Sequence, residues 1–275
     1  AYSPDFRLVV VPNVLQPDYL DLFVVSDVAL DRKPLLRLLE QENVALEDRT
    51  EGIWHGTHVL RPGQEGNVDF FALALDDGLN LLKADLTMTV GTVRAQNAKR
   101  VARPGVSVAF SSDSFTSDGV VAILPGREEA PGPELVPLSQ PFLIHSTTPY
   151  RGSSGQISME NVEGAQRPGI YHWESTGHRW VFAGAEIEEH GVEAPISGVG
   201  LYALMDDRTP PVLQEEQIDR RELRFRFTDG GSGVAAPAVS VNGASLPQKQ
   251  YRWDGQWLSV DTRKATEGVL RVSLE

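Results

Sequence analysis

Two histidine pairs, four acidic doublets, a serine-glycine run and a set of tryptophans are the residues of this chain whose types and spacing could do chemistry. His55 and His58, in "HGTH", form the first candidate metal pair. Positions i and i+3 of a strand point to opposite faces, so the two imidazoles are not placed to share one ion. One inward and one outward histidine near a turn is the expected outcome. His172 and His178 flank a Tyr/Trp hairpin and could approach across it, but no third ligand stands at a matching spacing. The acidic doublets are Asp76-Asp77, Glu128-Glu129, Glu188-Glu189 and Asp206-Asp207. Calcium takes about six to eight oxygens from a loop that wraps the ion, and the EF-hand pattern is absent. Aspartates between tandem β-modules can still bind it. Asp206 and Asp207, joined by Asp229, are therefore the candidate metal ligands, with Ca2+ at an interdomain seam as the one cofactor suggested. The alternative is that they are solvated turn residues.

The remaining polar motifs point away from catalysis. Gly152-Ser153-Ser154-Gly155 lacks the Gly-x-Ser-x-Gly spacing of a nucleophile elbow, and no helix follows it. Asp229-Gly230-Gly231-Ser232-Gly233 is followed by neither a helix nor a Lys-Ser/Thr pair, which excludes a phosphate loop and leaves a turn capped by Asp229. Nothing marks two of the acids as a glycosidase pair. The chain is expected not to be an enzyme. Trp173 and Trp180 bracket one hairpin, and Trp253 and Trp257 bracket the "DGQ" turn of another. Exposed tryptophans on β-sandwiches stack on sugar rings, so these four are the candidate ligand-binding residues, with glycan or peptidoglycan as the ligand. Cross-strand packing is the alternative. The binding reading requires at least two of them exposed on one surface.

The elements that must position these residues are strands. The chain has 275 residues, 41% hydrophobic and 23% charged, with 25 glycines and 18 prolines, which fits many short elements separated by turns. "FRLVVVPNVLQPDYLDLFVVSD" alternates apolar residues at period two on either side of Pro12, and "KADLTMTVGTV" alternates again. "GIWHGTHVLRPG" and "GNVDFFALALDDGLN" are expected to pair as a hairpin with Pro62 at its turn. Residues 33–48 fit either a short helix, from the spacing of Leu35, Leu38 and Leu39, or two strands. Residues 94–104 are expected to be a linker or an exposed edge. "GIYHWESTGHRWVFAG" is expected to be a hairpin, and "GVGLYALMDD" a closing strand.

"YALMDDRTPP" carries the main boundary. Two adjacent aspartates resist burial, and Pro210 and Pro211 lack the N–H a sheet ladder needs, so the stretch is expected to be a seam. The resulting fold class is all-β, with little helix, in three sandwich-like modules at 1–92, 93–208 and 209–275. The formal charge of −13 opposes contact with nucleic acid. No apolar run is long enough to span a membrane, so no membrane insertion is expected. The lack of cysteine removes disulfides and thiolate metal sites. The abrupt ends suggest a segment of a longer polypeptide.

In their order, "DYLDLFVVSDVAL", "ALDDGLN", "GIYHWESTGHRWVFAG", "GLYALMDDRTPP" and "RFRFTDGGSGV…VSVNG" resemble tandem β-sandwich modules of bacterial secreted and cell-surface proteins. The resemblance spans almost the whole chain in scattered motifs. Its most specific parts are the Thr-Pro-Pro linker and the turn from Asp229 to Val234. It implies an immunoglobulin-like or fibronectin type III-like third module and an accessory region of the kind found beside peptidases. It also implies an extracellular, cell-surface or periplasmic place, with other domains of a parent protein, an envelope protein or a polysaccharide as partners. The first module of that group has an Asp-Gly-Asn turn before its last strand, and Asp77-Gly78-Leu79-Asn80 departs from it by one extra residue. The third module is also shorter than a complete sandwich of about 100 residues. The leading expectation is a non-catalytic spacer and interaction segment. A glycan-binding module and a hydrolase fragment are the alternatives.

Overall fold

The computed structural model describes residues 5–38, 42–152, 154–160, 164–189, 191–218, 222–229, 231–233, 236–241, 243–261 and 270–273. Among them the chain is all-β, built from antiparallel strands with one turn of 3-10 helix at Gln248–Gln250. The first strands are β1 (Phe6–Pro12), β2 (Tyr19–Ser26), β3 (Leu35–Leu38), β4 (Glu42–Val44), β5 (Glu47–Thr50), β6 (Ile53–Val59), β7 (Gly66–Leu75) and β8 (Leu81–Val93). Next come β9 (Lys99–Arg103), β10 (Val106–Phe110), β11 (Gly119–Pro125), β12 (Leu135–Pro137), β13 (Phe142–Ser146) and β14 (Gly155–Glu160). Then follow β15 (Pro168–Glu174), β16 (Arg179–Gly184), β17 (Glu186–Glu188), β18 (Gly191–Ile196) and β19 (Gly200–Asp207). The C-terminal strands are β20 (Val212–Ile218), β21 (Glu222–Thr228), β22 (Ala238–Val241), β23 (Ala244–Ser245), β24 (Tyr251–Trp253), β25 (Trp257–Asp261) and β26 (Leu270–Ser273).

A ten-stranded central sheet dominates, in the order β16-β15-β19-β13-β11-β8-β7-β3-β4, with β12 also paired to β19. A flanking sheet, β1-β2-β6-β5, covers part of one face. The core between them holds Leu20, Leu22, Phe70, Met88 and the Val120, Ala122 and Leu124 side of β11. A second flanking sheet, β17-β18-β14-β10-β9, lies over the other face. Its core contains Val108, Ile157, Tyr202 and the Val121 and Ile123 side of β11. β11 is therefore buried on both faces, which is why "GVVAILP" is uniformly apolar instead of alternating. Each such side chain contributes about 1.5–3 kcal/mol of burial.

Several sequence expectations change here. Residues 35–38 and 42–44 are two strands, paired Leu36 to Val44, so the leucine spacing does not mark a helix. β6 and β7 do not form a hairpin. β6 pairs with β2 and β5, whereas β7 pairs with β3 and β8, so the chain crosses between sheets at Pro62. The expected division after residue 92 falls at the end of β8. Because β8 pairs with β7 on one side and β11 on the other, the central sheet runs across that division. Residues 99–103 form the edge strand β9. The hairpin β15–β16 pairs Tyr171 with Phe182 and Trp173 with Trp180, as its alternation requires.

Beyond Asp207, residues 208–211 leave the ladder and β20 begins at Val212. The C-terminal unit packs β20-β21-β25-β24 against β23-β22-β26 around Phe227, Val239, Leu258 and Val260.

Candidate functional site

The seam aspartates are buried, contrary to expectation. Asp206 is 0% and Asp207 1% exposed. Burial is tolerated because N–H and O–H groups saturate both carboxylates. Asp206 Oδ1 accepts hydrogen bonds from the backbone N–H of Arg167 (2.7 Å) and Gln166 (3.1 Å), and Oδ2 accepts one from Arg208 Nε at 2.9 Å. Asp207 Oδ1 accepts from the N–H of Thr209 at 3.1 Å. Its Oδ2 reaches into the C-terminal unit, where Ser232 donates from both N and Oγ at 2.7 Å. Gly231 is required there, since a Cβ at that position would overlap both Asp207 carboxylate oxygens.

Burial alone would push the Asp206 carboxyl up. The Arg167 N–H, the Arg208 guanidinium and the Gln166 N–H together hold it below its ordinary value. Asp229 goes the other way. Burial raises it, the Gly231 N–H opposes, and the charges of Asp207 and Glu134 raise it further. Tyr171, wholly buried, is also raised, first by burial and then by Asp207, Asp229 and Asp206, and its hydroxyl has no hydrogen-bond partner among the described residues. Asp206, Asp207 and Asp229 thus belong to one seam. Among the described residues, however, no group of three His, Cys, Asp or Glu is arranged to hold a metal ion. Both oxygens of Asp206 and of Asp207, and Oδ1 of Asp229, accept hydrogen bonds from the protein.

The four tryptophans do not share a surface. Trp180 is buried, and Trp173 is half-buried against it edge to face, with centroids 5.4 Å apart. Trp253 pairs with Leu258, not with Trp257, because Asp254 Oδ1 accepts the N–H groups of Gln256 and Trp257 and closes the turn before the ladder starts. Trp253 turns inward onto Phe227. Trp257 lies on the opposite face, where Arg224 and Arg226 stack on it at 5.7 and 5.8 Å.

His55 and His58 occupy opposite faces. His55 accepts at Nδ1 from Arg49 Nη2 at 2.8 Å, which leaves its proton on Nε2 to donate to Asp21 Oδ1 at 2.8 Å. His58 turns inward, edge-on to Phe70, with Nε2 unpartnered among the described residues. His172 packs on Tyr202 and His178 on Trp173, so these two do not converge either. Ser154 donates to Asp113 in a surface serine cluster with Ser111, while Ser153 lies outside the described residues.

Burial lowers His58, with Glu42 raising it and Arg61 lowering it further. His145, whose Nε2 lies 2.7 Å from the Pro17 carbonyl, is lowered by burial against that bond and the Asp18 charge. His172 is lowered by burial against the Glu174 charge. A histidine depressed in the folded state contributes stability that is present above its unfolded pKa, about 6.5, and is lost as pH falls through the folded value. The urea midpoint is therefore expected to drop between roughly pH 7 and pH 5, and His58→Phe is expected to shrink the drop. Equal midpoints at the two pH values would contradict this.

One concave, apolar feature escaped the sequence reading. A groove of about 730 Å³ runs beside β1. Five consecutive β1 residues, Leu8 to Pro12, form one wall, and the β15–β16 hairpin with Trp173 and Glu174 forms the other. Leu86, Leu143 and Leu201 of the central sheet also line it. The first flanking sheet ends at β1, while the central sheet continues past it through β13, β19 and β15, which creates the step. The only local signal in the sequence is the run of valines at 9–11. Comparison of the chain with protein-family models and with curated protein sequences finds no match.

Proposed function

We propose that this chain is a non-catalytic, stiff spacer and interaction segment of a larger bacterial secreted or surface protein, whose other domains it holds at a fixed separation. The observation that carries this reading is mechanical continuity. One central sheet is shared by the whole region from β3 to β19, and Asp207 bonds the last strand of that sheet directly to Ser232 of the C-terminal unit. Pro210 and Pro211 stiffen the same connection. The resemblance to tandem modules of secreted and surface proteins supports the compartment. Glycan binding has less support, since the four tryptophans do not form one exposed face.

The chain has no native cysteine, so spin labels at Lys83→Cys and Arg252→Cys report only the chosen pair. A single narrow distance distribution is expected across the seam. A broad distribution would remove the spacer reading.

A further inference from the structure

The strand β1 is an edge of its sheet, and its pairing fixes which backbone groups it leaves open. Asp5 O accepts from the N–H of Asp27, and the N–H of Asn13 donates to Tyr19 O, at the two ends of the β1–β2 register. In an antiparallel ladder the hydrogen-bonded positions alternate. Odd-numbered residues of β1 therefore turn their N–H and C=O toward β2. Phe6, Leu8 and Val10 turn theirs away, toward the side where no described strand pairs.

Four of the other edges of the three large sheets are guarded by charge, while the fifth, β16, carries only Arg179 at its start. β5 is Glu-Asp-Arg-Thr, β17 is Glu-Ile-Glu, β9 is Lys-Arg-Val-Ala-Arg and β4 is Glu-Asn-Val. Charged side chains on an edge discourage another strand from adding to it. β1 has no charge between Arg7 and its final proline. Val9 and Val11 are 41% and 43% exposed, and both line the groove. A strand with open hydrogen-bonding groups, no charge from Leu8 to Val11 and an apolar groove alongside is built to be joined.

The chemistry of the occupant follows from the walls. Open N–H and C=O groups at alternate residues call for an extended peptide backbone. The groove's charged side chains are already paired, Arg127 with Glu129 and Glu174 with Arg179, so its interior calls for uncharged side chains. At one end of β1 stand Asp5 and Asp27, of which Asp27 pairs with Arg7. At the other stands Asp18, beside Asp21, which accepts from His55 and Asn13, in a chain whose net charge is −13. Acidic ends complement basic flanks. We propose that β1 and the adjoining groove bind an extended, apolar segment with basic flanks from a partner protein, which adds as a further strand on β1 and rests on Leu143, Leu201 and Trp173. This deepens the interaction part of the reading above by naming the chemistry of the partner.

The probe is the fluorescein-labelled peptide Lys-Lys-Val-Thr-Val-Thr-Val-Lys-Lys, titrated by anisotropy with the full chain. Saturable binding is expected, together with a shift in Trp emission. N-methylation of alternate peptide amides, or Glu in place of the flanking Lys, is expected to weaken it by about tenfold or more. Val9→Lys/Val11→Lys is expected to do the same while leaving the thermal midpoint unchanged, because both side chains face outward. Equal binding of the N-methylated peptide, or full binding by the double variant, overturns the proposal. So does the absence of binding at about 1 mM peptide. A dimer in sedimentation that the double variant dissociates would make a second copy the occupant, and also overturns it. Failure of peptide binding with a narrow spin-label distance leaves the spacer reading standing. Peptide binding with a broad distance does the reverse.

Discussion

Asp207→Ala is expected to release the C-terminal unit from the rest of the chain, at a cost to the seam of about 2–4 kcal/mol. The carboxylate is the acceptor for three donors, Thr209 N, Ser232 N and Ser232 Oγ, and all three lose it at once. The variant should broaden the distance distribution between labels at positions 83 and 252 and speed proteolysis within residues 208–211. Gly231→Ala should act from the opposite side, because its new methyl group displaces the same carboxylate. Asp207→Asn keeps one acceptor oxygen and removes a charge that raises Asp229, so its effect should be smaller. If both alanine variants keep the parental cleavage rate, this contact does not hold the seam.

Leu124→Ala and Ile123→Ala are each expected to lower stability by about 2–5 kcal/mol, the range for large-to-small changes in a packed core. The residues are neighbours on β11 but face different cores, Leu124 toward the sheet containing β1 and Ile123 toward the sheet containing β14. Two independent modules would lose stability separately. A shared central sheet makes either substitution weaken both sides, because β11 supplies its ladder bonds to β8 and β13 whichever core is damaged. Hydrogen exchange should therefore show protection falling together in β2 and β14 for each variant. A loss confined to the damaged side would mean that the two halves unfold on their own.

Local chemistry made much of this legible from the sequence. Period-two alternation marks β2, β7, β15 and β21, and the same alternation puts His55 and His58 on opposite faces. Asp206-Asp207 followed by Thr209-Pro210-Pro211 locates the place where the ladder stops. The uniform run at Gly119–Pro125 acquires its reason only in the structure, where β11 is buried on both faces. Leu79 illustrates the margin. The residue that breaks the Asp-Gly-Asn pattern takes φ +61° and stays 68% exposed, while Asn80 still donates to Asp76 from its backbone and side chain.

Sequence by itself determined which residues share a face and where strands end, because side-chain period and proline chemistry act within a few residues. Only the tertiary structure decided which strands meet. β6 and β7, adjacent in sequence and separated by a turn signal, belong to different sheets: β6 pairs with β5 and β2, β7 with β8 and β3, and the two sheets enclose one core. The buried aspartates depend on the same distance. Their partners at Gln166, Arg167 and Ser232 lie up to 40 residues away, and these donors join the nearby Arg208 and Thr209 in making the carboxylates tolerable in the interior. The groove beside β1 arises likewise. It exists because one sheet ends where another continues, a difference in width that no local spacing encodes.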